Sequence, residues 1–131
     1  MFNDISYFNF DEKKDLVYYF LKRMFDKRKR EILDILDGYI NFEGNALNEE
    51  LFIYFSIEIY EKDEEYFGPD KIAFYFCYPS LEEDCIVLLD YNQFYNSLVS
   101  VFKTYIGEFS KDEINKIIEK LDILKSKLKV Y

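Results

Sequence analysis

The chain has no histidine and no tryptophan, and only two cysteines, two prolines and four glycines among 131 residues. Each shortage removes a class of function. Without histidine, the commonest general base and the usual zinc ligand are missing, and so are Ser–His and Cys–His nucleophile pairs. Cys77 and Cys85 cannot make a disulfide framework, and with no second pair they do not make a structural metal site. Lying in apolar runs, they read as buried thiols of a reducing compartment. The glycines, at 38, 44, 68 and 107, form no phosphate-cradling loop. No long hydrophobic run exists either: Leu51 to Ile59 is about half a membrane span and is broken by Ser56 and Glu58. Met1 to Phe10 lacks a basic segment leading into an apolar one, so no secretory signal is read there. These shortages lead to the expectation of a soluble, cytoplasmic protein with no membrane association, no metal and no cofactor.

What the chain has is acid and aromatic rings. The hydrophobic fraction is 50% and the charged fraction 33%, a globular composition. Its length fits one domain, 1–131, able to bury roughly two-thirds of its unfolded surface. The net charge of −9 is unevenly spread. Residues 1–37 hold eight acids and eight bases; residues 38–113 hold sixteen acids against four lysines, a net of −12; residues 114–131 come to +3. A surface dominated by the middle block repels nucleic acid and anionic membrane and steers basic proteins toward it. Solubility alone is the other reading of such charge. Phe and Tyr supply all of the 21% aromatic content. With Asn, Lys and Ile also abundant, part of this resembles the codon bias of an AT-rich genome, so not every tyrosine is an anchor.

Local patterns predict an α+β fold: an N-terminal helix or helix pair, a small antiparallel sheet of three or four strands, and two C-terminal amphipathic helices packed on it. Asp11 is a candidate N-cap, followed by Leu16, Val17, Phe20, Leu21 and Met24 at helical spacing. A second helical piece covers about 27–37, with Gly38 as its C′ residue. Residues 39–42 alternate as a short strand does. Residues 51–60 are the clearest strand, with Leu51, Ile53, Phe55, Ile57 and Ile59 on one face and Phe52, Tyr54, Ser56, Glu58 and Tyr60 on the other. Residues 71–78 alternate again after a Gly68-Pro69 turn, and Cys85 to Leu89 makes a third strand. Asp90 with Gln93, and Ser110 with Glu113, are capping-box patterns that open the last two helices.

Few residue groups suggest chemistry. The carboxylate pairs Glu64-Glu65 and Glu82-Glu83-Asp84 do not fit a calcium-loop spacing and read as solvated charge. The basic stretch Lys22 to Arg30 is interrupted by Asp26 and followed by Glu31 and Asp34, which can pair with it along a helix. A solvated helix face therefore fits better than a nucleic-acid contact. The acidic region stands out: Tyr60, Glu61, Asp63, Glu64, Glu65, Tyr66, Phe67 and Asp70, with Glu82, Glu83 and Asp84 preceding the third strand. Aromatics among carboxylates suit a protein interface in which rings bury and charges complement Lys and Arg opposite. An ordinary charged loop whose aromatics fold back onto the sheet is the alternative.

Three stretches carry a family resemblance: the aromatic helix "DLVYYFLKRMF", the segment "IAFYFCYPSLEEDCIVLLDYNQFYNSL" and the ending "YIGEFSKDEINKIIEKL". In this order of features the chain resembles the small immunity proteins of bacterial contact-dependent growth inhibition systems, in particular those described as immunity to ribonuclease toxins. The resemblance implies a single immunity-type domain over 1–131 and a stoichiometric inhibitor, not an enzyme. Its partner would be the C-terminal toxin domain of a partner gene product, expected to be a basic nuclease. The family supplies no catalytic residues to carry over. A runner-up function is an acidic adaptor or regulatory protein that binds a basic cellular protein.

Overall fold

The computed structural model describes residues 6–59, 62, 66–77 and 84–130. Those residues form an α+β fold of four α-helices and one four-stranded sheet. Strands β1 (Ser6–Asn9), β2 (Leu51–Phe55), β3 (Lys71–Phe76) and β4 (Cys85–Asp90) lie in the order β1-β4-β3-β2. The last three are antiparallel neighbours, as the alternation of apolar residues predicts. β1 joins β4 in parallel, so the sheet is mixed.

Helices α1 (Lys14–Lys27) and α2 (Ile32–Ile40) are two helices separated by a 3-10 turn at Lys29–Glu31. Asp11 does not cap α1, whose N-cap position is Lys13 with no side-chain cap; Asn9 caps the 3-10 turn Phe10–Glu12 that precedes it. Asn9 Oδ1 accepts from the Glu12 N–H at 3.0 Å and Glu12 Oε1 accepts from the Asn9 N–H at 3.1 Å. Asp11 instead pairs with Lys14 at 3.6 Å.

Two boundaries differ from the sequence reading because tertiary contacts override local signals. α2 runs through Gly38 to Ile40, since Tyr39 is drawn into the core against Phe55 and Phe94, with ring centroids 5.9 and 5.2 Å away. No strand forms at 39–42, and Phe42 takes the left-handed turn at φ 59°. β2 stops at Phe55 rather than continuing to residue 60. Glu58 Oε1 accepts from the Phe55 N–H at 2.8 Å and the Gly44 N–H at 2.9 Å, folding Ser56–Glu58 into a 3-10 turn. Ile57 is thereby left 71% exposed instead of facing the core.

Helices α3 (Tyr91–Tyr105) and α4 (Lys111–Leu128) start where the capping boxes predict. Asp90 Oδ1 accepts from the Gln93 N–H at 2.8 Å, and Ser110 Oγ from the Glu113 N–H at 3.2 Å. All four helices contribute to one core with a single face of the sheet. Phe20 and Leu21 of α1, Leu36 and Tyr39 of α2, Phe94 and Leu98 of α3 and Leu124 of α4 are fully buried there with Ile53, Phe55, Phe74, Phe76 and Val87. Phe20 meets Phe74 edge-on at 5.1 Å, a geometry that adds about 0.5–1.5 kcal/mol beyond the buried area.

Candidate functional site

The face of the sheet away from that core has its own pattern. Outward-pointing positions pair across strands as Tyr7–Ile86–Tyr75–Phe52 and, one step along, Asn9–Leu88–Ala73–Tyr54. Phe52 stacks on Tyr75 with centroids 4.8 Å apart, and Tyr54 meets both rings edge-on at 5.5 Å. The middle of this face is covered: Ala73, Tyr75 and Ile86 are buried, with Phe67 packed against them. The flanks are open, with Tyr7 53% and Tyr54 41% exposed. At one end of the face Glu50 and Asp84 bracket Cys77. Burial pushes the Cys77 thiol up in pKa first, and these two carboxylates push it further. Cys77 is half-buried and Cys85 buried.

The residues singled out from sequence divide into separate groups. Tyr60, Glu61, Asp63, Glu64, Glu65, Glu82 and Glu83 lie outside the described residues. Phe67 folds back onto the sheet, the bland alternative for that ring. Tyr66 and Asp70 come together in a cleft of about 620 Å³ with Ile57, Asp90, Tyr91, Lys127 and Lys129. Ser56 ties this region to the sheet by accepting from the Lys71 N–H at 3.2 Å. The Tyr91 hydroxyl is pushed up by burial first and by the negative field of Asp70 second, while its bond to Ser56 acts the other way. Asp84 is not in this group. The register Lys71↔Asp90 and Phe76↔Cys85 sets Asp70 and Asp84 at opposite ends of the β3–β4 pair, roughly 20 Å apart along the strands.

A second concavity, of about 510 Å³, was missed from sequence. It lies at the β2 edge and is lined by Gly44, Asn45, Ala46, Glu49, Phe52 and Tyr54, among others. The alternation of 51–60 put Phe52 and Tyr54 on the outward face, but nothing local showed that residues 44–49 fold back beside them. Those residues are fixed in place. The buried Tyr39 hydroxyl donates to Asn45 Oδ1 at 2.6 Å, and Asn48 Oδ1 accepts from the N–H groups of Glu50 and Leu51 at 2.8 and 3.0 Å.

Two residues of the basic stretch, just past the end of α1, are occupied within the fold. Arg28 reaches the Leu47 carbonyl at 2.5 Å and Glu31 at 3.5 Å, and Lys29 pairs with Glu108 at 3.1 Å. Among the described residues no cluster of His, Cys, Asp and Glu could hold a metal ion, and no helix is long and apolar enough to cross a membrane. Compared with known proteins, the chain matches a family model described as "CDI immunity protein" over residues 12–121, well over half its length. No curated protein and no solved structure matches it significantly.

Proposed function

From the premise that this chain belongs to the CDI immunity protein family, inhibitors of contact-dependent growth inhibition toxins and not enzymes, we propose that its cognate toxin is a basic nuclease, a ribonuclease in the first instance. The chain would act in the cytoplasm, covering the electropositive surface with which the toxin holds RNA. Charge distribution carries this reading: residues 38–113 hold a net −12. A nuclease must present Lys and Arg to RNA, and an acidic protein can satisfy the same groups. The acidic segment Glu61, Asp63, Glu64, Glu65 and Asp70, with Glu82, Glu83 and Asp84, supplies the proposed charge; Tyr60 and Tyr66 supply proposed anchoring area.

Such a pair needs a Kd near or below roughly 1 nM, about −12 kcal/mol, so that little free toxin survives. The test is co-expression with the C-terminal domain encoded by the gene just upstream. Survival only in the presence of this chain, with a salt-sensitive 1:1 complex, supports the reading. A toxin domain that is harmless alone, or that forms no complex, removes it.

A further inference from the structure

We propose that the concavity beside Tyr54 receives an arginine side chain of the protein partner. The proposal rests on the reading of a basic toxin and names where one of its cations docks.

Three independent features meet there. The first is an exposed ring in a fixed position: Tyr54 is 41% exposed, yet braced edge-on by Phe52 and Tyr75 at 5.5 Å. The second is an uncompensated carboxylate, since Glu49 lines the concavity and no Lys or Arg among the described residues pairs with it. The third is a rigid wall. The Gly44 N–H donates to Glu58 at 2.9 Å, Asn45 is held by Tyr39, and Asn48 caps the turn into β2.

A guanidinium is flat and forked, so it can lie on the Tyr54 face while its N–H groups meet the Glu49 carboxylate. Its aliphatic stem then covers Phe52 and Ala46. Preorganised walls keep the ordering cost of this contact low. A partner strand cannot use this edge instead. The β2 edge is already closed by the Ala46–Phe52 bridge, with the Leu47 N–H on the Leu51 carbonyl and the Ile53 N–H on the Asn45 carbonyl, both at 2.8 Å. Recognition here must go through side chains. The larger cleft beside Asp70 is a poorer seat for a cation, because Lys127 and Lys129 line it.

The test uses the full chain and the co-purified toxin domain. Tyr54→Ala and Glu49→Lys are each expected to weaken the complex roughly tenfold or more. Tyr54→Phe, which keeps the ring face, should stay within about threefold. Thermal melts of each variant check that the fold is intact. If wild type binds and Tyr54→Ala and Glu49→Lys bind equally well, the arginine site is wrong while the immunity reading survives. A second measurement does not depend on the toxin: N-acetyl-arginine amide is titrated and backbone amide NMR shifts are followed. Saturable shifts confined to residues 44–54 support the site. Shifts spread evenly over the acidic surface, or none, overturn it whatever the toxin does.

Discussion

A Cβ built on Gly44 would lie 1.8 Å from the Ile53 carbonyl oxygen and 2.6 Å from its carbon. Backbone cannot withdraw as a side-chain tip can, because the Ile53 N–H is bonded to the Asn45 carbonyl just beyond. Gly44→Ala is therefore expected to cost about 3 kcal/mol of stability, read from the midpoint of denaturant unfolding. An unchanged midpoint would mean that the 43–45 turn relaxes freely. Tyr39→Phe probes the same corner more gently. It removes the hydroxyl that meets Asn45 at 2.6 Å and Met24 Sδ at 3.3 Å, inside a fully buried site, for an expected loss of about 1–2 kcal/mol. Burial alone pushes the Tyr39 hydroxyl far above the ordinary tyrosine range, so it stays a neutral donor at any pH where the protein folds. In the sequence, Glu43-Gly44-Asn45 is recognisable as a turn. That the glycine is compulsory is not, because the atom it makes room for belongs to a residue nine positions away.

Elements whose start signals are local were legible, and those fixed by distant partners were not. Both capping boxes span four residues, and both open helices as their spacing predicts. Asp90→Ala and Ser110→Ala should each cost about 1 kcal/mol. Their effects should add within about 0.5 kcal/mol because they cap different helices, a sum that thermal melts of the double variant check. The Ser110 box also fixes a pH response. Bonds from the Ser110 backbone N–H and hydroxyl hold the Glu113 carboxyl below its ordinary value. A depressed carboxyl stabilises the fold above its unfolded pKa, and that contribution fades as pH falls through the lower folded value. Ser110→Ala should therefore lose less stability on acidification than wild type. By contrast, β1 is a four-residue Ser-Tyr-Phe-Asn strand whose partner in β4 lies 79 residues away, Ser6 opposite Cys85. Four residues carry too short an alternation to be read alone, and parallel pairing has no hairpin to announce it. The end of β2 was hidden similarly, since Glu58 closes the turn only by also reaching Gly44.

For the molecule as a whole, the sheet separates two unlike sides. One face is sealed by the four helices, and between α1 and α2 Arg28 and Lys29 are engaged by Glu31, Glu108 and the Leu47 carbonyl. The other carries aromatic rings, with Glu50 and Asp84 at one end. Composition showed a charge imbalance between segments, not between faces: the outward face itself is aromatic and apolar. The alternation in β2 pointed Phe52 and Tyr54 outward, while only the register placed Tyr75, Ile86 and Tyr7 beside them. If the acidic middle segment, 38–113, meets a basic nuclease, long-range attraction belongs in the association step. The on-rate should then fall by roughly tenfold or more between about 0.05 and 0.5 M salt, while the off-rate changes far less. Reversing Glu64 and Glu65 to lysine changes the charge of the acidic segment by +4. Stopped-flow mixing with the toxin domain should show both a slower association and a shallower salt dependence for that variant. Equal rates and slopes would remove the 61–65 segment from the encounter surface and shift the interface to the Tyr54 flank of the sheet, where Glu49 and Glu50 supply the remaining negative charge.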